Sequence, residues 1–362
     1  MMIRAEESTK KNHSTSKKSL VTVFGPCSAE SREQVLKVAA QVAQYFPETI
    51  LRAGIWKPRT RPGSFEGAGI EALDWMLEAR ERTGLRICTE VATPAHVEAV
   101  LEKKFDMVWI GARTTVNPFL VQELAEALRG SNISLMVKNP INPDLGLWIG
   151  AIERFQSVGI QEISAIHRGF QSFETEAYRY SPRWDLVIDF KSRMPSIPVL
   201  CDASHISGDR NLLLEVAQKA LDLDYNGLMI ETHPNPDEAL SDAKQQISPA
   251  ALDAMVRKLV LRASGNDDAV FGRALTELRY RVDVADDLIL QGLITRQRLI
   301  EQIGSYKKEH DVMILQLQRW EEILKRQMEN GADGGLDIVF VKRLYELIHE
   351  ESIRIQTGLF NS

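Results

Sequence analysis

The sequence predicts an α/β fold: a closed (β/α)8 barrel, then a small all-α domain of three helices forming an intertwined dimer. Three observations carry this reading. Short apolar, β-branched runs alternate eight times with helical stretches over roughly 245 residues, close to the ~250 of a (β/α)8 barrel. The polar segment ASGNDDA at 263–269 then breaks the pattern. Beyond it only helical periodicity remains, including one stretch of nearly forty residues.

The strands begin near 20 (LVTVF), 50 (ILRAG), 85 (LRICTEV), 107 (MVWIGA), 135 (LMVKNP), 162 (EISAIHR), 198 (PVLCDAS) and 227 (GLMIE). Helical spacing fills 31–46, 67–83, 94–104, 117–129, 145–158, 183–193, 209–222 and 248–262. Such alternation implies βαβ units and a parallel sheet, with an open doubly wound sheet as the alternative. The expected organisation is a polar tail over 1–19, a barrel over 20–262, a linker over 263–269 and a helical domain over 270–362. The first long helix, 270–308, spaces Leu275, Leu278, Val282, Ala285, Ile289, Leu293, Leu299 and Ile303 along one stripe. At ~1.5 Å per residue it is nearly 60 Å long, more than a domain this small can cover. A second copy supplying the cover is the economical solution. Shorter helices are expected at about 311–329 and 336–357, across the loop NGADGG.

Composition excludes several classes. With 44% apolar and 26% charged residues the chain is an ordinary globular one, and its net charge of −6 gives no footprint for nucleic acid. Three cysteines without a CxxC pair imply no disulfide framework and fit a reducing cytoplasm. No apolar run approaches the ~20 residues that span a bilayer, and the polar start lacks a signal-peptide core. A cytoplasmic protein without membrane contact is expected.

Four fragments end in a metal-ligating residue type just after an apolar run: VTVFGPCS, VLCDASH, GLMIETH and ALSD. They offer Cys27, His205, Glu231 and Asp242. One thiolate, one imidazole and two carboxylates suit a divalent transition metal better than Mg²⁺ or Ca²⁺. Each residue alone reads as core or surface pairing; the combination at matched strand ends reads as a site. Cations gather at the same ends: Arg52, Lys57 and Arg59 in RAGIWKPRT, Arg113 in IGAR, Lys138 in VKNP and Arg168 in HRGF. Barrel enzymes work at the carboxyl ends of their strands. Six cations beside a metal suit substrates bearing two phosphates and a carboxylate. Cys88, Cys201 and Trp56 read as packing residues.

The motif series GPCS, RAGIWKPRT, IGAR, VKNP, HRGF, DASHISGDR and MIETHPNPDEALSD resembles that of 3-deoxy-D-arabino-heptulosonate 7-phosphate (DAHP) synthases. With no extra N-terminal regulatory domain expected, the barrel is similar to the subgroup related to the enzyme making the eight-carbon sugar acid of lipopolysaccharide; KPRT favours the aromatic-pathway enzyme. The resemblance implies condensation of phosphoenolpyruvate with erythrose 4-phosphate, the first step of the shikimate pathway. It implies a divalent metal, expected to be Mn²⁺, on Cys27, His205, Glu231 and Asp242, polarising the aldehyde as a Lewis acid. Arg52 and Lys57 would face the phosphoenolpyruvate carboxylate. Arg113, Lys138 and Arg168 would hold its phosphate, and Arg59 and Thr60 the sugar phosphate. Asp202 and Lys57 remain alternatives for proton transfer.

In the helical region Arg279 and Arg296 lie 17 residues apart, nearly five turns, and Lys307 lies 11 further on, so a shared cationic face suited to a dicarboxylate is expected. LTELRYRVDVADDLI, LITRQRLIEQIGSYKK and LIHEESIRIQ resemble the all-helical chorismate mutases over about 270–357. The resemblance implies rearrangement of chorismate to prephenate in a site that takes Arg279 from the partner subunit and Arg296, Lys307, Arg319, Ser352 and Gln356 from one chain. Arg279 and Arg296 would bind the carboxylates, while Lys307 and Gln356 would meet the ether oxygen. Where the best-known members have an Asp and a Glu facing the substrate hydroxyl, this chain has Gln316 and Trp320. Two functions on one chain suggest feedback, with prephenate or chorismate at the helical domain restraining the barrel. The alternative is a helical domain that serves mainly as a regulatory binding module.

Overall fold

Eight parallel strands close into a barrel in sequence order: β1 (Val21–Gly25), β2 (Ile50–Arg52), β3 (Arg86–Val91), β4 (Met107–Ile110), β5 (Ser134–Lys138), β6 (Ile163–His167), β7 (Val199–Asp202) and β8 (Gly227–Glu231). Closure runs through β1 and β8, where Val21 lies opposite Gly227 and Gly25 opposite Glu231. That pairing rules out an open sheet. The computed structural model describes residues 20–57, 65–172, 177–263, 265 and 268–361, so the tail expected over 1–19 lies outside the described residues. Two compact units emerge, Met1–Ser264 and Gly265–Ser362.

Each strand is followed by a helix: α1 (Arg32–Tyr45), α2 (Glu71–Thr83), α3 (Pro94–Glu102), α4 (Pro118–Leu128), α5 (Leu145–Ser157), α6 (Trp184–Arg193), α7 (Leu213–Asp222) and α8 (Pro249–Val256). Ser31, Thr93, Asn117, Asp144 and Ser248 cap α1, α3, α4, α5 and α8 by accepting from first-turn amides. Three helices are shorter than their periodicity suggests, and α2 starts at Glu71 rather than 67. The stretch from 209 begins as a single tight turn, Arg210–Leu212, before α7. The stretch expected to reach 262 stops at Val256, because the Gln218 amide takes both polar groups of the Val260 backbone away from a helical ladder.

The alternation of each strand builds the barrel in layers. Val23, Ile50, Cys88, Trp109, Met136, Ile166, Leu200 and Met229, one from each strand, form a dry plug inside. Their neighbours Phe24, Leu51, Ile87, Val108, Val137, Ala165, Val199 and Ile230 face outward into the helices. Two residues beyond the plug, on six of the strands, the inward direction turns charged: Arg52, Glu90, Lys138, Arg168, Asp202 and Glu231. Glycine takes this level on the other two, as Gly25 and Gly111. A Cβ on Gly25 would meet the Arg52 carbonyl at 2.1 Å, and one on Gly111 the Glu90 carboxylate at 2.1 Å.

The second unit is three helices: α9 (Ala269–Glu309), α10 (Leu317–Asp333) and α11 (Ile338–Asn361). Both α9 and α10 pack on α11. The second helix starts six residues later than expected and runs on through NGAD. Asp311 has a left-handed φ of 53°, and Lys307 Nζ takes the Ile314 carbonyl at 2.6 Å, so 310–316 wraps the end of α9 instead of starting a helix. Large apolar residues of α9 are exposed among the described residues, including Leu278, Val282, Ile289, Leu293, Leu299 and Ile303. No helix of the described residues is long and apolar enough to cross a membrane.

Candidate active sites

The charged layer of the barrel is a set of buried pairs. Arg52, at the end of β2, has no exposed surface and places Nη2 3.1 Å from Glu231 Oε1, at the end of β8. The Trp109 ring lies beneath it, 4.9 Å from the guanidinium carbon. Lys138 Nζ meets Asp202 Oδ2 at 2.8 Å. Burial alone would raise the Asp202 carboxyl, yet His205, Lys138 and Arg52 together hold it well below the usual carboxylate range. Two cations of the expected six are thus already matched by carboxylates.

What remains unmatched is informative. Arg52 Nε and Nη1, and Arg168 Nη1, are buried without a hydrogen-bond partner. Buried guanidinium donors without a partner are costly to leave that way, and their chemistry suits an anionic ligand. Burial also lowers the Arg168 pKa, against the opposing effect of Tyr180, whose ring stacks 3.5 Å from the guanidinium carbon. Lys57 is half-buried, with its ammonium folded over Gly54. Arg113 is exposed at the same end. Arg59 and Thr60 lie outside the described residues.

Beside the pairs, Cys27, Glu231 and Asp242 bring ligand atoms within 4.8 Å of one another. Cys27 Sγ lies 3.5 Å from Asp242 Oδ2. Burial first, and the charge of Glu231 second, push the Cys27 thiol up to about 12. Asp242 is held well below its ordinary range: burial would raise it, but His205 and Arg179 outweigh that. His205 stands just outside this triad, its Nδ1 3.8 Å from Glu231 Oε1 and 2.9 Å from Asp202 Oδ2. With Nδ1 bound to Asp202, Nε2 is the nitrogen left for a cation, the usual arrangement of a ligating histidine. One soft sulfur, one imidazole and two carboxylates packed this closely fit a divalent transition metal.

Three residues that sequence reasoning passed over shape the site. Glu90 accepts from Trp109 Nε1 at 2.9 Å, and its signal was the same two-residue step beyond the plug. Gln245 donates to Glu231 Oε2 at 2.7 Å. Arg179 reaches Asp242 Oδ1 at 3.0 Å and Gln245 Oε1 at 2.7 Å. Trp56, read as packing, stacks on His96 with ring centroids 4.0 Å apart.

In the helical unit, Arg296 Nη1 donates to Ser352 Oγ at 2.6 Å, and Gln356 Nε2 to the Ser352 carbonyl at 3.2 Å. Gln356 Oε1 is buried without a partner. Lys307 and Gln316 line a common cleft of about 630 Å³. Arg296, Ser352 and Gln356 therefore gather between α9 and α11, while Lys307 turns to the Ile314 carbonyl. Arg319 instead pairs with Glu322 on the exposed side of α10. Trp320 stacks on His349 at 4.0 Å. Arg279 corrects one expectation. Seventeen residues make about 4.7 turns, so it sits roughly 100° round α9 from Arg296 and about 26 Å along it.

A model of the DAHP synthetase I family matches residues 4–261, and one of chorismate mutase type II matches 278–357. The phospho-2-dehydro-3-deoxyheptonate aldolase of Thermotoga maritima is 29% identical over 237 residues, which is 66% of this chain and 68% of that protein. A 2-dehydro-3-deoxyphosphooctonate aldolase of Wolinella succinogenes is 25% identical over 272 residues, covering 67% and 98%. Among solved structures, the Thermotoga maritima DAHP synthase is similar with a TM-score of 0.59 at 28% identity, over 66% of this chain and 68% of that one. Its truncated form gives 0.56 at 25% identity, over 66% and 84%.

Proposed function

We propose, from the premise that the chain belongs to the DAHP synthetase I family and carries a chorismate mutase type II domain after its barrel, a specific division of labour between named residues. The chain is a DAHP synthase and a chorismate mutase of aromatic biosynthesis. In the barrel, Arg52 and Lys57 receive the carboxylate of phosphoenolpyruvate, and Arg168 with Lys138 and Arg113 its phosphate. Arg59 and Thr60 take the phosphate of erythrose 4-phosphate. The observation that carries this is the set of unpartnered guanidinium donors of Arg52 and Arg168, buried beside a ligand cluster.

Cys27, His205, Glu231 and Asp242 hold a divalent metal, Mn²⁺ being our choice, and Asp202 keeps His205 turned to offer Nε2. When bound, the cation supplies Lewis acidity toward the aldehyde of the sugar. The protein's own part is to align carbon 3 of phosphoenolpyruvate with that aldehyde and keep both phosphates neutralised. Lys57 is the better proton carrier of our two candidates, because Asp202 is already committed to Lys138 and His205. Chelation should abolish condensation and Mn²⁺ restore it; full activity in a rigorously metal-free preparation would sink the assignment.

In the helical unit, Arg296 meets a carboxylate of chorismate, and Lys307 with Gln356 the ether oxygen as charge grows there. Arg279 lies too far along α9 to join them in one chain, which supports its coming from a second copy. The exposed apolar stripe of α9 supports the same homodimer. The Trp320–His349 stack, at a position expected to hold a carboxylate, favours a second reading, in which the unit senses chorismate or prephenate and restrains the barrel. Chorismate consumption by the purified protein decides, with Arg296→Ala as control. Turnover lost in the variant establishes catalysis. No turnover beside an active barrel selects the sensor, and a condensation rate unmoved by saturating prephenate would eliminate feedback.

A further inference from the structure

Residues 178–181, between β6 and α6, form a short strap joining the two halves of the barrel site. One end lies against Phe170, which donates its backbone N–H to the Ser181 carbonyl at 2.8 Å, two residues after Arg168. The other end lies against the short helix Ala203–Ser207, which carries His205: Arg179 N–H reaches the Ser207 carbonyl at 3.2 Å and Tyr180 N–H the Ile206 carbonyl at 3.3 Å. Gly208, with a φ of 65°, gives the strap room; a Cβ there would stand 2.3 Å from that of Arg179.

The two strap side chains face different ligands. Tyr180 carries the Arg168 guanidinium on its ring. Arg179 donates through one nitrogen to Asp242 and to Gln245. Gln245, fully buried, passes that contact on by donating to Glu231 Oε2 at 2.7 Å. One cation thus fixes two of the three clustered metal-ligating residues, while its neighbour fixes a buried, incompletely bonded cation of the anion site. We propose that Arg179 is a positioning residue for the metal-binding carboxylates, tied through Tyr180 to Arg168, so that metal and anion occupancy at the barrel mouth reinforce each other. An anion on Arg168 settles Tyr180, Tyr180 settles the strap, and the strap sets Asp242 and Glu231 for the cation. The inference rests on the ligand assignment above.

The test is the dissociation constant of Mn²⁺ for the chelator-stripped full chain, read by electron paramagnetic resonance without and with phosphoenolpyruvate. Wild type should bind Mn²⁺ more tightly when phosphoenolpyruvate is present, and phosphoenolpyruvate should gain by the same factor from Mn²⁺. Arg179→Ala should weaken Mn²⁺ binding about tenfold and lose most of the coupling. Arg179→Lys, which keeps the positive charge on a shorter stem, should recover part of each. Tyr180→Ala should keep the affinity for Mn²⁺ alone and lose the coupling. Wild-type affinity in Arg179→Ala, with weakened binding in Asp242→Asn, overturns the inference and leaves the ligand set standing. Unchanged binding in Asp242→Asn overturns both. Coupling that survives Tyr180→Ala overturns the link to the anion site.

Discussion

Single side chains carry most of the chemistry, and their place at the end of a strand decided which of them could be read in advance. Arg52, Lys138 and Glu231 were legible because each stands at the end of an apolar, β-branched run. The two-residue step past an apolar plug position, which they share with Glu90, became visible only with the barrel. Arg179 and Gln245 were not legible, because their value lies in reaching ligands 63 and 14 residues away through irregular loops. Two predictions belong here. With its pKa pushed up to about 12, Cys27 is a thiol throughout the neutral range, and ligation as thiolate must release that proton. Mn²⁺ affinity between pH 6.5 and 8.5 should therefore rise with pH by about one decade per unit more steeply in wild type than in Cys27→Ala. Equal slopes would show that Cys27 keeps its proton or does not ligate. Arg168→Met preserves stacking length on Tyr180 but removes the unpartnered donor. It should raise the KM for phosphoenolpyruvate about thirtyfold, as expected for a charge-assisted bond of ~2 kcal/mol, with the melting temperature nearly unchanged.

Elements were more legible where a single physical rule governs them. All eight strands and the long helix α9 follow from apolar spacing, and N-cap residues mark several helix starts. Helix ends failed where a distant side chain intervened: Gln218 stops α8, and Lys307 delays α10. Close helix packing is also invisible in one dimension. Gly304 is buried on α9, where a Cβ would lie 2.8 Å from Leu359 Cδ1 and 3.1 Å from Gln356 Cγ on α11. Gly304→Leu should wedge these helices apart and displace Gln356. Chorismate turnover should fall about 5- to 150-fold by the overpacking cost of ~1–3 kcal/mol, while DAHP formation stays at the wild-type rate. Matched losses in both activities would contradict this view of the contact.

At the scale of the whole molecule the two units meet the burial requirement differently. The barrel covers its apolar surface with its own helices, whereas α9 leaves a long row of Leu, Ile and Val side chains exposed among the described residues. If a second copy covers them and supplies Arg279, dilution should lower chorismate turnover per protomer and leave condensation constant. A mutase indifferent to dilution down to nanomolar protein, and monomeric by sedimentation there, would refute the shared site. The barrel's closure has a further consequence, for synthesis on the ribosome. Arg52 is made early in β2, but its counter-charge Glu231 arrives only with the last strand. A nascent chain lacking β8 would have to bury that guanidinium alone, at a cost of about 3–5 kcal/mol. Nascent barrels should stay protease-sensitive until Glu231 has left the exit tunnel, so the pair that shapes the site also acts as proofreader of a finished chain.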